Sequence, residues 1–316
     1  MTVLVSVIVP NWNGRHHLAR CLPSLRAQAY SDFEVVVVDN GSTDESVTWL
    51  AEAYPDVRVL RNSHNLGFAA ANNQAIQATD SPYVVTLNND TEAASGWLAE
   101  LVAAVESDAT VGMVASQILL AHAPDMIDSA GIEVDWSGTA WQRQRGEPVN
   151  DDDALEEVFG PSAGAALYRR AMLDEIGLFD EDFFTYYEDV DLAWRARNAG
   201  WRCLYAPRAR VYHVHSATGG QDPSLKRYLI GRNKVWALVQ NYPWPAVLLW
   251  WPLILGFELA AVLYALLLER DPSPLRGRLA GWRGSLRSFR KRQASGRGVW
   301  GHLSPVRNPL RRGGQL

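Results

Sequence analysis

Tyr83-Val84-Val85-Thr86-Leu87-Asn88-Asn89-Asp90 is the stretch on which the fold of this chain turns. Four of its eight residues, Tyr83 to Thr86, are β-branched or aromatic, and the run stops on three short polar side chains. A strand that ends in carboxylate and amide oxygens is how an α/β protein holds a metal–phosphate pair. Taken alone, a strand closed by an ordinary Asn/Asp-rich turn reads the same way. The neighbouring segments choose between the two.

Upstream, the same grammar repeats. Val3 to Val9 is an apolar run closed by Pro10-Asn11-Trp12-Asn13-Gly14, and His16 to Gln28 places Leu18, Cys21, Leu22 and Leu25 at helical spacing. Phe33 to Val38 reads as a second buried strand ending in Asp39-Asn40-Gly41-Ser42-Thr43-Asp44, where Ser42, Thr43 or Asp44 can cap a helix through about Tyr54. Val57 to Leu60 is a short strand and Phe68 to Ala78 a small-residue helix. Strand, polar turn and helix therefore alternate up to Asp90, which predicts a mostly parallel sheet with ligands at the strand carboxyl ends. Three polar turns converge on that edge. There is neither a GxGxxG nor a Walker motif, so this is not the dinucleotide or the P-loop solution.

Downstream, Trp97 to Glu106 reads as a helix and Val111 to Ser116 as a strand. Asp125 to Asn150, with several Gly and two Trp, is expected to be an irregular loop over the site. Gly160 to Tyr168 begins as a small-residue turn, where Gly164 lets backbone approach a ligand, and continues as a strand. Gly177 to Arg195 embeds acids among aromatics. A carboxylate desolvated by such neighbours has a raised pKa and can serve as a general base near neutrality. Glu188 and Asp189 also stand at an apparent helix start, where negative charge is favoured for purely structural reasons. Ala209 to His215 is a strand with His213 and His215 on one face. With Asn88 and Asp90, His213 becomes a candidate metal ligand.

Composition sets the outer bounds. The 316 residues have room for one large domain plus an appendage, and 47% hydrophobic residues with 13 Trp suffice for a substantial core. Two cysteines, Cys21 and Cys203, imply no disulfide framework and fit a reducing cytoplasm. Met1 to Ser6 carries neither a basic n-region nor a long apolar one, so no signal peptide is expected. The net charge of −5 conceals an asymmetry: from Arg270 onward there are 12 Lys and Arg against one acid, Asp271, leaving 18 basic and 34 acidic groups before it. An acidic body speaks against nucleic acid as a partner, and a basic tail suits anionic lipid headgroups.

In this order the motifs resemble those of inverting glycosyltransferases of family 2, which have the Rossmann-like glycosyltransferase A fold. They are Val-Ile-Val-Pro-Asn-Trp-Asn at 7–13, Val-Val-Asp-Asn-Gly-Ser-Thr-Asp at 37–44, Asn-Leu-Gly-Phe-Ala-Ala-Ala-Asn-Asn at 65–73, Leu-Asn-Asn-Asp at 87–90 and Tyr-Tyr-Glu-Asp-Val-Asp-Leu-Ala-Trp-Arg at 186–195. The likeness covers about Val5 to Ser216 and is strongest to the bacterial rhamnosyltransferase-like branch that builds cell-wall and surface polysaccharides. It implies that Pro10, Asn11 and Asn13 line the nucleotide pocket, that Asp39 accepts from a pyrimidine imide, and that Asn40 and Ser42 complete that wall. Gly67 and Asn72 would lie beside the ribose or diphosphate, near Asn88, Asn89 and Gly164. Asp90, with His213, would hold Mg2+ or Mn2+ on the diphosphate of a dTDP- or UDP-linked sugar. Asp189 would be the base, with Glu188 the competing candidate. One departure stands out: Asn88 replaces the first carboxylate of the metal motif, and a neutral amide oxygen is the poorer ligand.

The expected organisation is a catalytic domain over 1–225, a hydrophobic helical membrane-associated segment over 226–270 and a basic tail over 271–316. Ala246 to Leu268 is long enough to cross a bilayer, but it contains Pro252 and, near its middle, an apparently unpaired Glu258. Basic residues flank both sides, Lys226, Arg227, Arg232 and Lys234 before it and the tail after. An interfacial or re-entrant hairpin on the cytoplasmic membrane face fits this better than one crossing, with a core helix or dimer interface as the third reading. Three functions remain open. The first is sugar transfer to a glycan or lipid-linked acceptor, the second synthesis of a polyprenyl-phosphate sugar, and the third nucleotide-sugar binding without turnover.

Overall fold

The computed structural model describes residues 3–150, 152–214, 223–292 and 303–306. The apolar runs become inner strands because both faces of each are covered. β1 (Val5–Asn11), β2 (Phe33–Asp39), β3 (Arg58–Arg61) and β4 (Tyr83–Leu87) are parallel, in the order β4-β1-β2-β3. The crossovers are α1 (Arg15–Arg26), α2 (Ser46–Ala53) and α3 (Phe68–Gln77). Side-chain alternation splits the core into two layers. Val5, Val7, Val9 and Val85 pack with Leu18, Leu22 and Leu25 of α1, whereas Ile8, Val36 and Val84 pack with Ala69, Ala71 and Ile76 of α3. Each such Val, Leu or Ile removed from water contributes about 1.5–3 kcal/mol.

Past Asp90 the sheet changes character. The elements are β5 (Thr91–Ala93), α4 (Trp97–Glu106), β6 (Val111–Leu120), β7 (Ala123–Ser129), β8 (Ile132–Asp135), β9 (Ala140–Gln142), β10 (Glu156–Glu157), β11 (Ala165–Arg169), α5 (Arg170–Ile176), α6 (Glu188–Asn198) and β12 (Arg202–His213). β11 inserts antiparallel between β4 and β6, and β12 lies parallel to β6 with β5 antiparallel against its end. The sheet is the mixed one, flanked by helices, that the glycosyltransferase A resemblance implies, with its parallel pairs concentrated in β1 to β4. Among the described residues, only the β6–β7 pair of this sheet comes from a connection too short for the crossover a parallel pair needs; β11 with β4 and β6, and β5 with β12, join strands far apart in sequence. The stretch 125–150, expected to be irregular, instead contains the end of β7 and the β8–β9 hairpin. Ser42 and Thr43 do not cap α2, which starts at Ser46; Asp44 instead accepts from the backbone of Arg15 and Ser46.

Three helices complete the chain: α7 (Pro223–Asn241), α8 (Trp244–Tyr264, extended by a π-helical turn Ala265–Glu269) and α9 (Ser273–Arg290); β13 (Leu303–Ser304) then joins β8. The expected boundary at 225–226 falls inside α7. Residues 273–290 of the predicted basic tail are a helix that runs alongside α7 in the same direction. A Cβ at Gly277 would meet the Tyr228 carbonyl oxygen at 2.1 Å, and one at Gly281 the Arg232 oxygen at 2.9 Å. Only glycine lets these two backbones touch. The segment 246–268 holds no chain reversal: α8 continues straight through Pro252. Glu258 is not unpaired either. Its carboxylate contacts both Lys234 Nζ of α7 and Arg278 Nε of α9. Trp250 of α8 stacks on Trp136, with ring centroids 4.9 Å apart.

Candidate active site

The carboxyl ends of β1 and β2 lie in register at Asn11 and Asp39. The Asn11 amide donates to Asp39 Oδ1 and to Ser42 Oγ, both at 3.3 Å, while Ser42 N donates to Asp39 Oδ2 at 3.1 Å. Each Asp39 oxygen keeps a second acceptor position for a ligand. Asn40 joins this edge to the next loop by donating to the Gly67 carbonyl at 3.1 Å. Asn13, at φ +51°, accepts from Thr43 N at 2.7 Å and ties the two turns together, beside the half-buried Pro10. Two expected contacts need correction. Asn72 is fully buried within α3, donates to the Phe68 carbonyl at 2.9 Å and lines no open space. Asn89 also points away from ligand space: its amide donates to Asn11 Oδ1 at 2.7 Å, buried beneath the turn. Gly67, at φ +89°, is required by Phe184, whose ring a Cβ would strike at 2.5 Å.

The end of β4 delivers two groups of different kinds. Asn88 lines the main cavity next to Gly164, which accepts from the Asn88 backbone N–H at 2.8 Å. Asp90 is buried. Its Oδ1 has no hydrogen-bond partner among the described residues and lies 3.4 Å from Nε2 of His213, the last residue of β12. On the other side of the ring, His213 Nδ1 is 2.8 Å from Asp128 Oδ2. Burial depresses the imidazolium, but the hydrogen bond with Asp128 and the nearby carboxylates of Asp90 and Asp128 outweigh that and push the His213 pKa up to about 9. Asp128 was not foreseen. It lies within the stretch read as a loop, and only the pairing of β7 with β6 brings it to the site. His215 lies outside the described residues.

The described residues contain no cluster of three His, Cys, Asp or Glu side chains able to hold a metal by itself. Asp90 Oδ1 and His213 Nε2, 3.4 Å apart, would form a partial set for a divalent cation once the imidazole gives up the proton that faces Asp90. Phosphate oxygens and water would have to supply the remaining ligands. With one carboxylate instead of two, such a site depends on the bound nucleotide.

The acidic pair comes from a distorted turn. Phe184, Tyr186 and Tyr187 have φ of +66°, +67° and +69°, a region that costs L-residues about 1–2 kcal/mol each. Tyr187 then starts α6, so Glu188 and Asp189 occupy its first turn. Asp189 Oδ1 accepts from Val190 N at 2.8 Å and Oδ2 from Ala163 N at 3.3 Å. Burial raises the Asp189 pKa, and these backbone donors only partly offset that. The carboxyl nevertheless stays half-open to the cavity. Glu188 is raised further, first by burial and then by the Asp189 charge, and its Oε2 has no partner among the described residues. Glu188 therefore holds its proton more tightly than Asp189, and of the two Asp189 ionises first.

A cavity of about 1290 Å³ joins the end of β4 and His213 to the acidic pair; the Asn11–Asp39 edge does not line it. It runs from Asn88, Gly164 and His213, past Asp189, to Phe257 and Ala261 of α8 and Arg278 of α9. A polar edge at the ends of β1 and β2, an acidic pair and a wide cleft beside that pair are arranged at one end of the sheet. The sequence profile of "Glycosyl transferase family 2" matches residues 6–177. The chain belongs to glycosyl transferase family 2. It is a glycosyltransferase, and its mixed sheet flanked by helices is the glycosyltransferase A fold. It is similar to the N-acetylglucosaminyl-diphospho-decaprenol L-rhamnosyltransferase of Mycobacterium tuberculosis (strain CDC 1551 / Oshkosh), at 29% identity over 248 residues, 71% of this chain and 80% of that protein. The pre-mycofactocin glycosyltransferase of the same organism is 35% identical over 214 residues, 67% of this chain and 43% of that one. Among solved structures, that of GalNAc-T7 with UDP, GalNAc and Mn2+ superposes with a TM-score of 0.62 at 20% identity, over 76% of this chain and 48% of the other.

Proposed function

We propose that this glycosyltransferase inverts the anomeric centre of a dTDP- or UDP-linked hexose, with rhamnose the first donor to test. The acceptor would be a hydroxyl on a lipid-linked saccharide or surface polysaccharide. The observation that carries this reading is Asp189, an acid with a raised pKa that lines the cavity between Asn88 and Gly164 on one side and the apolar helix α8 on the other. In the proposed reaction the acceptor hydroxyl gives its proton to Asp189 as its oxygen bonds to the anomeric carbon. The bond from that carbon to the diphosphate breaks, and its electron pair leaves with the nucleoside diphosphate. Glu188 is the less suited of the two because it is more deeply buried and its pKa is raised further, by burial and by the Asp189 charge.

Asn11, Asp39, Asn40 and Ser42 would hold the base of the donor, with Pro10 and Asn13 shaping that wall and Asn88 and Gly164 facing the sugar–diphosphate. Asp90 and His213 would hold Mg2+ or Mn2+, which when bound offsets the charge that develops on the leaving diphosphate. The relative acting on a decaprenol-linked sugar and the apolar wall formed by α8 both support a lipid-linked acceptor. The same reading puts the protein on the cytoplasmic membrane face. The helix Trp244–Glu269 is 26 residues long and apolar enough to cross a membrane, and α9 beside it exposes Arg276, Arg283, Arg287 and Arg290. Product analysis with dTDP-rhamnose and UDP-sugars, each against a lipid-linked saccharide and a bare polyprenyl phosphate, tests the assignment. No transfer from any donor to either acceptor would defeat it.

A further inference from the structure

The turn that presents Glu188 and Asp189 has a poor backbone geometry of its own, so something must hold it. Three left-handed aromatic residues lie in the four positions from Phe184 to Tyr187. The Phe184 carbonyl accepts from Ala69 N at 3.2 Å and that of Tyr187 from Asp191 N at 2.9 Å, while three other carbonyls of the turn meet one side chain. The Asn233 amide of α7 is fully buried and donates to the carbonyls of Phe183 at 3.0 Å, Thr185 at 2.9 Å and Tyr186 at 2.7 Å. Its own Oδ1 accepts from Arg232 Nε at 2.8 Å. Arg232 in turn donates through Nη2 to the Asp182 and Phe183 carbonyls at 3.1 and 2.9 Å, and its guanidinium lies 4.4 Å over the Trp236 ring.

The same turn is gripped at its start from α7 and α9. Gln240 donates to Asp180 at 3.0 Å, Lys291 bonds Asp180 and Asp182 at 2.5 and 2.6 Å, and Arg287 bonds Asp182 at 2.6 Å. Two helices that follow the sheet domain in sequence thus supply most of the side-chain bonds to the turn before the acidic pair. We infer that Asn233, backed by Arg232, is a positioning residue of the transfer site. It holds the strained turn 183–187 in the one conformation that aims Asp189 into the cavity. α7 and α9 are therefore a working part of the site as well as an attachment to the apolar helix.

The turnover part of the test rests on the proposed function; the exchange part does not. In full-length Asn233→Ala protein, amide exchange over 183–190 should speed up by roughly tenfold or more while β1 and β4 stay protected. Transfer kcat should fall on the order of 100-fold, the cost of about 1 Å of misplacement. Affinity for UDP or dTDP should stay within about threefold, because the nucleotide edge lies on other strands. If Asn233→Ala does not fold, Arg232→Met is measured in the same way, with smaller changes in the same direction. Wild-type protection across 183–190 in a folded variant would overturn the inference. So would a parallel fall of kcat and nucleotide affinity, which marks general loosening. Wild-type protein that shows no transfer at all counts against the function alone, since the exchange result still decides the clamp.

Discussion

Asp128 Oδ2 holds His213 Nδ1 at 2.8 Å, across a separation of 85 residues, and so turns Nε2 toward Asp90. A carboxylate behind an imidazole fixes the ring and raises its basicity toward anything bound on the far side. Asp128→Asn keeps the shape and removes that charge. Divalent-cation-dependent binding of a nucleoside diphosphate is expected to weaken about 10–100-fold, while binding without the cation changes little. Calorimetric titration with UDP or dTDP, with and without Mn2+, measures both. Equal Mn2+ dependence in the variant and the wild type would remove Asp128 from the role.

The acidic pair gives a pH prediction with a definite sign. Asp189 must be ionised to accept a proton, and burial raises its pKa. The rate at limiting donor and acceptor should therefore fall, as pH is lowered, at a higher pH than an exposed aspartate would show. Asp189→Asn should cost about 10²–10⁴ in kcat. Glu188→Gln, which keeps the shape of a side chain whose charged form burial opposes, should stay within roughly tenfold of wild type. The reverse ranking of the two variants would make Glu188 the base.

Local pattern revealed the parallel half of the sheet and the polar turns at its edge, because each strand from Val5 to Leu87 is a contiguous apolar run with its own stop signal. Asp90, His213 and Asp189 were legible as types of side chain in suggestive places. What joined them was not, since β11 running antiparallel between β4 and β6 is a tertiary decision. Asn72 and Asn89 show the opposite failure: both sit in site-like motifs, yet their amides are spent on Phe68 and Asn11. Asp128 and Asn233 gave no local signal. Each acts on a partner about 50 or more residues away, and Asn233 does so through backbone carbonyls that any sequence would provide. Glu258 misled for the same reason, as its two cations come from separate helices.

That ion triad makes a stability prediction. The side chains of Glu258, Lys234 and Arg278 are only 16, 5 and 14% exposed, so removing the carboxylate strands two cations in a low-dielectric wall. Glu258→Leu is expected to destabilise the protein by about 3–5 kcal/mol, the usual cost of breaking a buried pair from one side. Adding Lys234→Met and Arg278→Leu removes the stranded charges and should return most of it. Thermal unfolding of the full chain in one fixed detergent compares the three proteins. A single variant as stable as wild type would mean that water reaches the triad freely.

The exposed face of α8 predicts how the protein meets lipid. Leu248, Trp251, Leu255, Leu259 and Leu263 are 48–75% exposed at three- and four-residue spacing, so they form one stripe. Leu279, Trp282, Leu286 and Phe289 make a second stripe on α9, beside exposed arginines. Burying a leucine in hydrocarbon is worth about 1.5–3 kcal/mol, whereas a glutamate opposes burial and is repelled by anionic headgroups. Leu259→Glu with Leu263→Glu should lower partition onto vesicles containing anionic lipid by more than ~100-fold, with UDP or dTDP binding unchanged because the nucleotide edge is untouched. Arg283→Gln with Arg290→Gln should have a smaller effect that vanishes in high salt. Vesicle co-sedimentation at two salt concentrations separates the two contributions, and wild-type partition by the double glutamate variant would assign this face to a protein partner instead of lipid.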